Sequence, residues 1–154
     1  MNLEFTEPTR REALTLAAIA GLTAVLAPKM VFADEAAVAA EIKKLYGDKK
    51  LDSGKIKLDV PEIAENGLVV PVNVDVESPM TDSDYVKAVH VFADGNPLPG
   101  VVTYKFTPAC GKASASTRMR LAQTQNIVCV AEMSNGSLYM TKANVKVTIG
   151  GCGG

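Results

Sequence analysis

The sequence predicts an all-β protein of two packed antiparallel sheets with one short helix at its start. Three observations predict it. From residue 55 onward apolar residues recur at every second position, the spacing of a half-buried strand. About seven such runs follow one another, each bounded by Gly, Pro or Asn turn signals. Before them, a single stretch has helical spacing and carries helix-type boundaries at both ends. A barrel of similar strand count is the main rival to the sandwich. At 154 residues the chain suits one ordinary domain. Its formal net charge of -1 gives no global attraction to nucleic acid, and the mature region lacks any basic run interleaved with aromatics.

Residues 1–33 differ from the rest. Thr9-Arg10-Arg11 precedes an uncharged, moderately apolar run over 13–27, followed by Pro28, Lys29 and the small-residue stretch Val31-Phe32-Ala33. That is the layout of an export signal with positive, apolar and cleavage regions. The paired arginines point to the twin-arginine route, although Glu12 and Ala13 depart from its usual motif. The apolar run spans only about fifteen residues, against roughly twenty needed to cross a bilayer, so a cleaved leader is expected rather than an anchor. A soluble, periplasmic chain beginning at Asp34 follows from that reading.

Residues 34–54 are read as a short helix and a polar link. Val38, Ile42, Leu45 and Tyr46 share a helical face, Asp34 or Glu35 begins it and Gly47 ends it. The β-domain is expected over 55–149. Ile56, Leu58 and Val60 alternate with polar neighbours, and Asn66-Gly67 marks a turn. Val70, Val72, Val74 and Val76 then form one inward face. Pro71 lacks an N–H and predicts a bulge or an unpaired position in that strand. Residues 85–92 are apolar on both faces, as in a central strand, and Asn96-Pro97-Leu98-Pro99-Gly100 turns the chain. Strands are expected over 101–107, 114–122, 126–133 and 137–149. Within the third of these, Val128 and Val130 are assigned to the core face.

The three cysteines divide into two roles. Cys110 and Cys129 close a loop of about twenty residues, and a bond between them would stabilise by roughly 3 kcal/mol on the chain-entropy model. A structural disulfide between Cys110 and Cys129 is the first expectation, with two free thiols as the alternative. Cys152 is left over, within Gly150-Gly151-Cys152-Gly153-Gly154. Four glycines barely restrict the backbone and leave the sulfur sterically open. From Ile149, three extended steps span about 10 Å, enough to carry a thiol into a narrow pocket. The pattern suits a flexible arm with Cys152 as the covalent attachment point of a substrate. A frayed tail, or a disulfide joining two subunits, would also account for the residues.

Other chemistry is sparse. His90 is the lone histidine, and such a residue within a strand is more often packed than catalytic. No Cys/His spacing suggests a zinc site or a haem attachment, and the terminal glycines precede no helix that could cradle phosphate. No catalytic residue, metal or cofactor is expected, and the chain is read as a carrier on which other proteins act.

The terminal Gly150-Gly151-Cys152-Gly153-Gly154 resembles the swinging arm of the SoxY family, the sulfur carriers of bacterial thiosulfate oxidation. The run from Ser78-Pro79-Met80-Thr81-Asp82-Ser83-Asp84-Tyr85 through Val86-Lys87-Ala88-Val89-His90-Val91-Phe92-Ala93 is similar to that family. So are Asn96-Pro97-Leu98-Pro99 and Ser116-Thr117-Arg118-Met119-Arg120-Leu121-Ala122. The resemblance implies an immunoglobulin-like antiparallel β-sandwich that pairs with SoxZ, a small all-β subunit, as a heterodimer in the periplasm. It further implies that the c-type cytochrome complex SoxAX joins thiosulfate to Cys152 and that the dimanganese hydrolase SoxB then releases sulfate. In some organisms a sulfane dehydrogenase completes the oxidation. Cys110 and Cys129 depart from the family pattern, in which only the arm cysteine is usual.

Overall fold

A computed structural model describes residues 32–149; residues 1–31, which hold most of the leader expected over 1–33, and residues 150–154, the expected carrier arm, lie outside the described residues. The helix α1 is Glu35–Tyr46. It is followed by strands β1 Leu51–Asp52, β2 Ile56–Asp59, β3 Ile63–Ala64, β4 Val70–Val76, β5 Val86–Ala93 and β6 Gly100–Lys105. A 3-10 turn, Pro108–Cys110, leads to β7 Ala113–Met119, β8 Gln125–Met133 and β9 Leu138–Val147. The seven strands expected from alternation are all present. β1 and β3 are additional, and at two residues each they are too short to show any period.

The helix has the boundaries its sequence predicts. The Asp34 carboxylate accepts from the Ala37 N–H at 2.8 Å, satisfying one of the donors left open at a helix start. Glu35 in the first turn and Lys43 and Lys44 in the last complement the helix dipole. Gly47 ends it with φ +68°, its N–H returning to the Lys43 carbonyl. Val38 and Ile42 are buried, whereas Leu45 stays 48% exposed, so the docking stripe is narrower than the expected one.

Two sheets form the body. The larger runs β1-β9-β8-β5-β6 with β3 also on β9, and the smaller runs β2-β4-β7. The short β1 and β3 pair with β9 in parallel; the other pairings are antiparallel. β4 buries Val70, Val72, Val74 and Val76 as its alternation requires. Pro71 faces Arg118 of β7 in an unbroken register, while the pairing with β2 stops at Asn73. The proline thus occupies a stretch of β4 that is paired on one side only, with no bulge.

The larger sheet is covered on both faces. Its inner face packs Val89, Val91, Ile127, Cys129, Ala131 and Met133 against the valines of β4. Its outer face packs Phe92, Val128 and Val130 under Val38 and Ile42 of α1. The expected assignment of β8 is therefore reversed: Cys129 belongs to the core between the sheets, and Val128 and Val130 lie beneath the helix. The physical reason is that β8 is apolar at nearly every position, so alternation identifies its two faces without saying which layer covers which.

His90 sits on the helix side of β5. Its ring meets Tyr46 edge-on at 5.7 Å and stacks on Phe92 at 6.2 Å, and its Nδ1 lies 2.9 Å from Thr103 Oγ1. Burial depresses its pKa and Lys105 adds to that, while Glu132 opposes it. The unfolded chain therefore binds the proton more readily than the folded one. The contribution of this group is complete above the unfolded value of about 6.5 and is lost as pH falls through the depressed folded value. Urea midpoints are expected to drop between about pH 7 and about pH 5, and His90→Gln should flatten that drop. An equal drop in both proteins would show that His90 is not its source.

Candidate functional site

Cys152, the expected attachment residue, and its neighbours Gly150, Gly151, Gly153 and Gly154 lie outside the described residues. The structure does show how the chain reaches them. β3 holds the end of β9, pairing Ile63 with Lys146 and Ala64 with Val147. Beyond β9, the Thr148 N–H donates to the Ala64 carbonyl at 3.1 Å, and its hydroxyl donates to the Glu65 carbonyl at 2.8 Å. The Ile149 carbonyl accepts from the Gly67 N–H at 2.8 Å, and the Gly67 carbonyl accepts from the Leu121 N–H at 2.8 Å. Asn66 shapes this turn by accepting from the Leu68 N–H, an Asx turn. Among the described residues, which end at Ile149, the chain is hydrogen-bonded through Ile149, the residue before Gly150.

Gly67 and Thr148 were not singled out by sequence reasoning as site residues. Asn66-Gly67 was legible as a turn, but its bond to Ile149 spans more than eighty residues of chain and has no local signature.

The internal cysteines are not joined. Cys110 and Cys129 are both free thiols, Cys110 exposed and Cys129 buried, which corrects the expected disulfide. Cys129 points into the core between the sheets, packed with β4 and its own sheet, whereas Cys110 closes an exposed 3-10 turn ahead of β7. Loop length permitted a bond, but the orientation of two side chains decides it.

Their surroundings give them opposite reactivity. Burial pushes the Cys129 thiol up to about 12, so it stays protonated and inert. Hydrogen bonding to the backbone and hydroxyl of Thr107 lowers Cys110. Thiol titration of the native protein is expected to modify Cys110 quickly and Cys129 only on unfolding. Cys110→Ser should change stability by under about 0.5 kcal/mol. Cys129→Ser, which buries a hydroxyl among apolar neighbours, should cost about 1–3 kcal/mol. Matching losses of about 2–4 kcal/mol would instead indicate a bond between them.

His90 meets neither Asp82, Ser83 nor Asp84. Thr81 and Asp84 bond to each other within their own turn, Asp84 N–H donating to the Thr81 carbonyl and Thr81 N–H to that of Asp84. His90 instead adjoins a polar group beneath the helix end, where Tyr46 donates to Glu132 at 3.3 Å and Lys87 to the same carboxylate at 2.9 Å. These bonds tie α1 to β5 and β8. Burial and the Glu132 charge push the Tyr46 hydroxyl well above its ordinary pKa, so it remains a donor.

The family model described as sulfur oxidation protein SoxY matches residues 42–152, from within α1 to Cys152 itself. The chain belongs to the SoxY family. The fit extends to a solved SoxY, the sulfur carrier protein from Chlorobium limicola f thiosulfatophilum. That protein is 34% identical, covering 74% of this chain and 98% of its own, with a TM-score of 0.63. A superoxide reductase (neelaredoxin) from Ignicoccus hospitalis is 15% identical over 77% of this chain and 95% of its own, with a TM-score of 0.56. A putative superoxide reductase from Thermotoga maritima is 20% identical over 60% and 84%, at 0.51. These two share the fold alone. A comparison with curated proteins returned no match. SoxY membership accords with the immunoglobulin-like sandwich, here a two-sheet body with one added helix.

Proposed function

We propose that this chain is a periplasmic sulfur carrier that holds thiosulfate-derived groups covalently on Cys152 and presents them to other enzymes. The observation that carries the reading is the placement of Cys152 between two diglycine pairs, three residues along the chain from Ile149, which is hydrogen-bonded to Gly67. The family match reaches that same cysteine, and the solved relative is a sulfur carrier. The glycines on both sides of Cys152 impose little φ/ψ restriction, which suits a carrier whose body docks while its sulfur enters a pocket.

The chemistry requires partners. In loading, the Cys152 thiol and the terminal sulfur of thiosulfate form an S–S bond, releasing one proton and two electrons. A c-type cytochrome complex of the SoxAX kind accepts those electrons. Water then cleaves the sulfur–sulfonate bond in a SoxB-type hydrolase, giving sulfate and leaving a persulfide on Cys152. Nothing in this cycle asks the chain itself to act as an enzyme. An all-β SoxZ-type subunit is the proposed stable partner, and the twin-arginine leader, which exports folded proteins, would deliver the pair to the periplasm.

The test is an intact-mass profile of the protein from thiosulfate-fed cells, with and without reductant, followed by peptide mapping. Reductant-sensitive additions of sulfur and sulfonate on the peptide containing residues 150–154 are expected. Additions confined to Cys110, or none at all, would overturn the reading.

A further inference from the structure

The two ends of α1 are fastened to the sheet differently. Val38 and Ile42 anchor the helix through its middle, and Lys142 donates to Glu35 at 3.2 Å at its start. In the last turn Leu45 is exposed, and Tyr46 reaches the sheet by donating to Glu132 at 3.3 Å. That bond is long for a carboxylate acceptor, whereas Lys87 holds the other oxygen of Glu132 at 2.9 Å.

His90 stands beside this contact. Where β5 pairs with β8, His90 faces Val130 and Ala88 faces Glu132. His90 and Glu132 are therefore diagonal neighbours on the face beneath the helix, a spacing that long side chains bridge. The imidazole ring meets Tyr46 edge-on and stacks on Phe92. Its Nδ1 engages Thr103 Oγ1, which leaves Nε2 for one further bond. The charged and titratable groups around it are Tyr46 from α1, Lys87 from its own strand, Lys105 from β6 and Glu132 from β8, all lining one cleft. Burial keeps the ring neutral at ordinary pH, and Glu132 is the group that draws a proton onto it. The other two charges are lysines, so an imidazolium here has one carboxylate to turn to.

We propose that His90, Glu132 and Tyr46 form an acid-released latch on the last turn of α1. When the ring takes a proton from solvent, Nε2–H donates to Glu132 and displaces the Tyr46 hydroxyl. A bond between two charged partners is shorter and stronger than one from a neutral phenol, and a half-buried cation is costly without one. The neutral ring has no such advantage, so Tyr46 keeps the carboxylate and the turn stays down. Once displaced, Tyr46 loses its polar tie to the sheet, and the turn that closes with the Gly47 N–H on Lys43 is free to open. Val38 and Ile42 keep the rest of the helix docked. The latch belongs to the body and stands whether or not Cys152 carries sulfur.

The experiment follows amide exchange of the folded protein residue by residue by NMR between about pH 7.5 and about pH 5, with each rate divided by that of an unstructured chain. Protection of Gly47 is expected to fall about tenfold more than that of the β4 amides, the size of one hydrogen bond to a charged group. The fall and the shift of the Tyr46 ring signals should share the midpoint of the His90 titration. In H90Q the protection of Gly47 should not change over this range. In Y46F, which keeps the histidine, it should be low at both ends, because the tie is already missing. Unchanged Gly47 protection in the wild type overturns the proposal. So does an equal fall in H90Q, which would place the titrating group elsewhere, or a fall shared evenly by α1 and β4, which would make the loosening global.

Discussion

Cys152→Ser is expected to abolish every sulfur-containing addition to the protein, leaving fold and stability unchanged. A hydroxyl cannot form the S–S bond with thiosulfate, so no partial activity should survive. The substitution exchanges one small side chain for another among glycines, and surface changes away from packed contacts usually fall within about 0.5 kcal/mol. The comparison requires Cys110→Ser alongside it, since Cys110 is an exposed thiol held below its ordinary pKa and can exchange with sulfane sulfur. Intact mass should show additions kept in Cys110→Ser, lost in Cys152→Ser and lost in the double variant. Additions that survive Cys152→Ser but vanish in the double variant would move the handle to Cys110.

The largest stability effect is expected at Ile127. Its side chain is fully buried in the core between the sheets, on the strand that joins β5 to β9. Truncation to alanine removes three carbons and leaves a cavity whose walls belong to two sheets, neither free to collapse. The expected cost is about 2–5 kcal/mol, a large part of the roughly 5–15 kcal/mol that holds a domain of this size. Val101→Ala, on the exposed edge strand β6, should stay within about 0.5 kcal/mol. Urea unfolding of the three proteins checks this, and equal midpoints for Ile127→Ala and wild type would mean that β8 is not the centre of the core.

The strands were legible because most of them obey a local rule. Val70, Val72, Val74 and Val76 declare a buried face through spacing alone, and the structure buries all four. Asp34 and Gly47 likewise mark the helix ends through chemistry within one turn of chain. Leu45 was misassigned because a helical face is a range of angles, and only the docking direction decides which edge of the stripe remains wet. The disulfide failed for a related reason: separation along the chain constrains loop entropy but not where two Cβ bonds point.

The sequence by itself determined the run of strands and turns, the helix boundaries and the lone cysteine among glycines, since each depends on residues a few positions apart. Tertiary structure alone decided which face of β8 meets which layer, and with it that Cys129 is buried while Cys110 is open. It also decided that the 65–69 turn clamps Ile149. Those outcomes depend on layers and loops meeting across many tens of residues, where burial and hydrogen bonding, rather than periodicity, select the arrangement.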